Sequence, residues 1–330
     1  MMSLMVLEPL DARIPKWNLD RLTARFCPFC GTENETILKR PDLLPIAFCQ
    51  SCQCWYVDKI PATIDIERQY YGYYHTHRPI DLSKRSVSQM LENARTANET
   101  DWQLQVLSRL LGGIKGKRIL DVGCGWGQFL LMARAAGADV VGCDISPEAS
   151  EFAQKRLGIT VHQSKLVSCF SSIGNVDAVI MRDFLEHPVE PFIDIQSALN
   201  VLKSGGFLVL LTPNGGEAGV DVETAKKWVG FRVDLEHLQY LSPHTINWLS
   251  KKLDMSIERL EAFGFPGLEG IDKLPKRRFG TANRARYLVK RIPCVRTLVE
   301  TLRTVMAKTS GEYHDPRLGS YHLFGIFRKG

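Results

Sequence analysis

Two sets of residues in this chain have the types and spacings that do chemistry. The first is a pair of cysteine knuckles, Cys27-Pro-Phe-Cys30 and Cys49-Gln-Ser-Cys52, with eighteen residues between them. Each C-x-x-C turn points two thiolates at one ion, and two such turns complete a tetrahedron, so the spacing is that of a four-cysteine zinc site. Iron in the same sulfur set and a redox dithiol are the chemical alternatives, the second weakened by the presence of two pairs at ribbon spacing. Four protein ligands leave no open coordination position, so a zinc held by Cys27, Cys30, Cys49 and Cys52 is expected to be structural, with Cys54 a spare thiol beside it.

The second set is Ile119-Leu-Asp-Val-Gly-Cys-Gly-Trp-Gly-Gln128. A short apolar strand runs into Gly123, Gly125 and Gly127, and a helical stretch follows. Glycines let the chain turn sharply and let a ligand lie on bare backbone. A pyrophosphate-binding turn is usually spaced GxGxxG. Here the spacing is GxGxG, and Asp121 places negative charge two residues before the first glycine, which suits a cationic, amino-acid-like ligand better than a pyrophosphate. Asp144 ends the next strand, where a carboxylate can accept both hydroxyls of a ribose.

These residues need a scaffold, and the hydrophobic pattern supplies one. Strands are predicted at 118–122, 139–143, 159–162, 176–181, 207–212, 255–263 and 321–328, with helices at 128–136, 147–157, 191–202 and 243–253 between them. Short apolar strands alternating with helices give a parallel α/β sheet covered on both faces, with ligands outside the carboxyl ends of the strands. Ahead of it, residues 1–20 read as an arm, 21–60 as the ribbon and 61–116 as a helical lid or linker. Residues 117–330 form the main domain, with a basic amphipathic insertion at about 271–310.

The loop and later segments resemble class I S-adenosylmethionine-dependent methyltransferases of the ubiquinone-type and natural-product group (type 11/23-like). Val176-Asp-Ala-Val-Ile-Met-Arg-Asp-Phe-Leu-Glu-His-Pro-Val-Glu-Pro191 looks like their fourth strand and the turn after it. Leu202-Lys-Ser-Gly-Gly-Phe-Leu-Val-Leu-Leu-Thr-Pro-Asn214 looks like their fifth strand, and Asp234-Leu-Glu-His-Leu-Gln-Tyr-Leu-Ser-Pro-His-Thr-Ile246 like a later shared segment. The resemblance covers about residues 117–265. It implies a Rossmann-like seven-stranded sheet in which Gly123, Gly125 and Gly127 line the methionine moiety, Asp144 binds the ribose and Ile145 packs on the adenine. Arg182 and Asp183 then face the cofactor or acceptor. The sequence departs from the pattern at Gln163-Ser-Lys-Leu166, where the family often carries an acidic residue near the adenine. Zinc knuckles followed by this domain resemble the deoxysugar C-methyltransferases, whose additional C-terminal domain has no counterpart among the matched motifs.

Methyl transfer to oxygen or carbon usually needs a base. His187 and His237 are the candidates, each in a matched motif beside a glutamate, Glu186 and Glu236. Between ribbon and sheet, Tyr70, Tyr71 and Tyr74 are expected to form either a lid over the cofactor or a packing seam. The expected activity is methyl transfer from S-adenosylmethionine to a small-molecule acceptor: a sugar, a lipid-linked glycan or a secondary metabolite. RNA methylation is the alternative, suggested by the ribbon and by eleven Lys/Arg against two Asp/Glu at 271–310. Against it, the matched motifs are those of small-molecule enzymes, and the charge lies outside all of them. For the basic segment, solvated charge on the body is the first reading and contact with a membrane surface the second.

Composition narrows the classes further. Charged residues are 24% and hydrophobic residues 45% of the chain, values of an ordinary globular protein. Nine cysteines, four of them in the knuckles, argue for metal rather than a disulfide framework. No apolar run approaches the ~20 residues of a membrane-spanning helix, and the first residues lack a signal peptide's basic and apolar regions, so a cytoplasmic protein is expected.

Overall fold

The computed structural model describes residues 4–10, 13–71, 84–264 and 320–330. Tyr74 and the basic segment at 271–310 lie outside them. The chain divides into two compact units, residues 1–260 with 323–330, and residues 261–322. In the second unit, the Phe263 ring stacks on His322 with centroids 5.3 Å apart.

The N-terminal strands are short: β1 (Thr23–Ala24), β2 (Thr36–Lys39), β3 (Pro45–Phe48), β4 (Trp55–Val57) and β5 (Lys59–Ile60). The arm joins them, since Leu7 N donates to Lys39 O and Lys39 N to Met5 O. Three helices follow: α1 (Thr63–Tyr71), α2 (Lys84–Thr100) and α3 (Trp102–Leu110). The run of helix formers from Asp81 to Leu111 is broken at Asp101, whose carboxylate accepts from Leu104 N and caps α3.

The main sheet has seven strands: β6 (Arg118–Val122), β7 (Asp139–Cys143), β8 (Thr160–His162), β9 (Val176–Arg182), β10 (Leu202–Pro213), β12 (Met255–Phe263) and β13 (His322–Lys329). Their order is β12-β13-β10-β9-β6-β7-β8. Pairs β10–β9, β9–β6, β6–β7 and β7–β8 are parallel. This is the Rossmann-like seven-stranded order that the resemblance implies. The helices between strands are α4 (Gln128–Ala135), α5 (Pro147–Leu157), α6 (Leu166–Ile173), α7 (Pro191–Val201), α8 (Val222–Ala225) and α9 (Pro243–Lys252). Central strands such as β9 are buried almost end to end, as expected when helices cover both faces. Ala94 of α2 packs with Leu130 and Leu131 of α4 and Phe152 of α5. Helix α6 escaped sequence reading because Leu-Val-Ser-Cys-Phe-Ser-Ser-Ile is rich in weak helix formers.

The ribbon sheet has an unexpected fourth strand. Its order is β11-β4-β3-β2, and β11 is Gln239–Tyr240, from the segment after β10. Gln239 pairs with Tyr56 and Tyr240 with Trp55, antiparallel. Buried ribbon residues (Phe29, Ala47, Tyr56) and the core of the main sheet (Leu120, Val179, Leu210) belong to one hydrophobic cluster. Among the described residues no helix is long and apolar enough to cross a membrane.

Candidate active site

The glycine loop connects β6 to α4. Gly123 has φ +70°, a left-handed conformation that disfavours a side chain, and a Cβ there would lie 2.6 Å from the Phe184 ring. Gly125 N donates to Asp144 Oδ2 and Ser146 N to Oδ1, both at 2.8 Å. Two main-chain donors therefore orient the buried Asp144 carboxylate. Gly127 plays a different part. It caps α4 in a left-handed conformation, and its open side meets Ala153 of α5 rather than the cavity.

Asp121 is buried, and burial pushes its carboxyl up to about 7. Arg182 opposes that shift and Asp144 adds to it. The Arg182 Nη1 donates to Gln103 Oε1 at 2.7 Å, and its guanidinium lies 4.7 Å from the centroid of the Phe129 ring. Its buried Nε has no hydrogen-bond partner among the described residues.

These groups border a cavity of about 510 Å³ outside the carboxyl ends of the strands. Asp121, Gly123, Gly125, Asp144, Ile145 and Arg182 all line it, and so do Asp183 and His187. Gly127 and His237 are not among the lining residues. Sequence reasoning had not singled out Phe184, nor the far wall. That wall takes Thr63, Ile66 and Glu67 from α1 and Glu190, Ile193 and Asp194 from the start of α7. Lys165, in the Gln163–Leu166 stretch that departs from the family pattern, pairs with Glu67 at 2.7 Å. Burial raises Asp194 to about 7, partly offset by Lys165.

The two candidate histidines come together although fifty residues separate them in the chain. Their ring centroids are 4.8 Å apart at an interplanar angle of 68°. Ligand atoms of Glu186, His187 and His237 all lie within 4.8 Å of one another, a donor set that can share a proton or take a divalent cation. His187 lines the cavity and His237 is buried behind it. Thr212 Oγ1 donates to Glu186 Oε2 at 3.0 Å and fixes that carboxylate. The two loops are stitched main chain to main chain, with Leu238 N donating to Glu186 O at 2.7 Å. The Gln239 amide bridges to Leu185 O at 2.6 Å and Pro188 O at 2.9 Å. The neighbouring Glu236 is pushed up to about 7 by burial, with Asp234 adding to it.

In the ribbon, the four knuckle sulfurs converge within 4.8 Å of one another. Cys27 Sγ and Cys52 Sγ are 3.4 Å apart, and Cys30 Sγ and Cys49 Sγ 3.3 Å. Four sulfurs at ~2.3 Å from one zinc would stand roughly 3.8 Å apart, so the set is of the right size and chemistry for that ion. Cys54 Sγ contacts Trp55 O and Tyr240 O instead, outside the set.

The family model described as a methyltransferase domain matches residues 90–260 of this chain. The chain belongs to that methyltransferase family. Ubiquinone biosynthesis O-methyltransferase of Haemophilus ducreyi is 35% identical over 112 residues, 31% of this chain and 48% of that protein. The Pectobacterium atrosepticum protein of the same name is 28% identical over 155 residues, 45% of this chain and 61% of that one. The chain thus spans about half the length of the curated relatives it matches. Among solved structures, an S-adenosylmethionine-dependent methyltransferase from Archaeoglobus fulgidus aligns with TM-score 0.44 and 19% identity, over 72% of this chain and 94% of that one. Magnesium protoporphyrin IX methyltransferase from Synechocystis PCC 6803 aligns with TM-score 0.43 and 17% identity, over 82% of this chain and 100% of that one. The methyltransferase motif residues Asp121, Gly123, Gly125 and Asp144 fall inside the matched range, and the four knuckle cysteines fall before it.

Proposed function

We propose that this chain transfers the methyl group of S-adenosylmethionine to an oxygen or carbon atom of a small-molecule acceptor: a sugar, a lipid-linked glycan or a secondary metabolite. The observation that carries the reading is one cavity lined both by Asp121 and Asp144 and by His187, the member of the Glu186–His187–His237 cluster that reaches it. Its volume of about 510 Å³ is that of a small-molecule site. The curated relatives are O-methyltransferases by name, which favours oxygen.

When bound, S-adenosylmethionine supplies an electrophilic methyl group on a sulfonium. The protein's work is to bind, orient and deprotonate. Asp144, aimed by Gly125 N and Ser146 N, accepts the ribose hydroxyls, and Ile145 covers the adenine. Gly123 and Gly125 offer bare backbone to the methionine moiety, Asp121 faces its ammonium, and the buried Nε of Arg182 is a donor for its carboxylate. His187, at the cavity surface, takes the acceptor's proton on a ring nitrogen, and His237 and Glu186 behind it stabilise the imidazolium. The four cysteines hold one structural zinc. We further propose an arm at 1–20, a ribbon at 21–60, a lid or linker at 61–116 and a catalytic domain at 117–330.

Calorimetry with S-adenosylmethionine, S-adenosylhomocysteine and NAD tests the reading. We expect micromolar-range binding of the first two, on the order usual for enzyme ligands, and none of the third. NAD binding without S-adenosylmethionine binding overturns it.

A further inference from the structure

The ribbon carries two arginines whose guanidinium groups reach main-chain carbonyls around the histidine pair. Arg25, just before the first knuckle, donates from Nε to Val57 O of β4 at 2.7 Å. Its Nη1 reaches Val189 O, two residues past His187, at 3.1 Å. Its Nη2 reaches Leu238 O, next to His237, at 2.7 Å and Gln239 Oε1 at 3.1 Å. Burial lowers Arg25 to about 10, which leaves it protonated at neutral pH.

Arg40, at the end of β2, is completely buried. Its Nη2 donates to Leu235 O at 2.6 Å, and its Nη1 donates to His237 O itself and to the Tyr240 hydroxyl at 3.0 Å. Asp42 grips the same guanidinium at 3.1 and 2.5 Å and is steadied by Trp17 Nε1 at 2.8 Å. Burial works against the charge, but the Asp42 carboxylate and the Tyr240 hydroxyl together more than offset it and hold Arg40 protonated.

A buried guanidinium–carboxylate pair is a poor way to add stability, because desolvation consumes most of the Coulombic gain. What a planar fork does well is fix the direction of several acceptors at once. Here the acceptors are the carbonyls of residues 235, 237 and 238 on one loop and 189 on the other. The strand pairing of β11 adds to this grip, as Val57 N donates to Leu238 O at 2.9 Å. Trp55 of β4 packs against Phe231 at 5.4 Å, and Phe231 packs on Tyr240 at 5.0 Å. From the clamped 235–240 segment, Leu238 N and the Gln239 amide pass the constraint to residues 185–188.

We infer that Arg25 and Arg40 are positioning residues for the acceptor side of the site, and that the ribbon's role in the reaction is to set the relative placement of His187 and His237. This deepens the proposed function and rests on its assignment of those histidines. The metal knuckles fix the chain on either side of the clamp, since Cys27 follows Arg25 by two residues and Cys49 and Cys52 bracket the turn between β3 and β4. None of the arginine contacts involves the glycine loop or Asp144.

The test uses the full chain, labelled with ¹³C at histidine Cε1, in wild-type, Arg25→Gln and Arg40→Met forms. Spectra are recorded at one pH, with the His187 and His237 signals assigned from His187→Gln and His237→Gln variants. S-adenosylmethionine affinity is measured on the same samples. We expect both signals to leave their wild-type positions in each arginine variant, while those of His162 and His244 stay and cofactor affinity changes less than twofold. Arg40→Met can fail to fold, because it leaves Asp42 buried without its partner. Among the described residues Arg25 makes no direct bond to a carboxylate, so Arg25→Gln breaks no ion pair and decides the matter alone. Wild-type signal positions in a folded Arg25→Gln protein overturn the inference, as does a parallel loss of cofactor affinity, which would mean general destabilisation. A wild-type protein that fails to bind S-adenosylmethionine defeats the proposed function instead, and the two failures are told apart by which protein shows them.

Discussion

The two sides of the cavity are built by different means. The cofactor side is local. Asp121, Gly123, Gly125 and Asp144 lie within a single βαβ unit, and their geometry is set by main-chain hydrogen bonds between neighbouring strand ends. The histidine side is assembled at long range: Arg25 and Arg40 reach across to carbonyls roughly two hundred residues later in the chain. This member of the methyltransferase family thus has one half of its cavity that a single βαβ unit builds by itself and one half that is held from the ribbon in front of it. Changes in the first half should therefore act on cofactor affinity, and changes in the ribbon should not.

Gly123→Val should act most strongly. The backbone at φ +70° is costly for a β-branched residue, and its Cβ would meet Phe184 at 2.6 Å. Titration calorimetry should show S-adenosylmethionine affinity down about 100-fold or more. An affinity within threefold of wild type would place the methionine moiety elsewhere. Asp144→Ala comes next, weakening binding by about 1–3 kcal/mol, the usual loss for hydrogen bonds to a charged group. Unchanged affinity there would remove the ribose assignment.

The same contrast decides what was legible in the chain before any coordinates. The glycine loop could be read because a left-handed turn favours glycine, so conformation leaves a mark on residue type. The knuckles could be read because a metal's ligands carry their own chemistry. His187 and His237 could be named from their motifs, but their meeting could not, since nothing local brings residues fifty apart into contact. Strand β11 is two residues long and has no periodicity to detect. Arg25 and Arg40 left no signal because their acceptors are carbonyls, which every residue has. Gly127 was legible as a glycine of the loop, but not that it caps α4 and meets Ala153 of α5.

A smaller effect should come from pH. Burial, chiefly, raises Asp121 from 3.8 to about 7, so near pH 6 the free protein holds it mostly protonated. A cationic ligand favours the carboxylate, so binding should release a proton, and affinity should rise with pH up to about 7 and then level off. The gain is at most about tenfold per pH unit. For stability the sign runs the other way. The native state binds more protons than the unfolded chain between 3.8 and about 7, so this group's stabilisation is complete below that window and is lost as pH rises through it. Calorimetry in two buffers of different ionisation enthalpy measures the proton release, and Asp121→Asn should abolish it. If Asp194→Asn abolishes it instead, the titrating group lies on the far wall.

The smallest change in cofactor affinity should follow loss of the metal. Elemental analysis should find one zinc per chain; iron or no metal would overturn the sulfur-site assignment. Chelation, or Cys27→Ser, removes a bond from a cluster whose members lie within 4.8 Å, in a ribbon too small to hold itself together by apolar burial alone. The ribbon should loosen, and with it β4, the strand that pairs with β11 and accepts Arg25. The melting temperature should fall. The glycine loop, Asp121 and Asp144 are held by β6 and β7, which pair with β9 and β8 and not with any ribbon strand. S-adenosylmethionine affinity should therefore stay within about twofold, a difference below 0.5 kcal/mol, while the His187 and His237 signals shift as they do in the arginine variants. A metal-free protein that still gives wild-type histidine signals would show that the clamp holds without the ion. One that loses the cofactor would show that the two halves are a single cooperative unit.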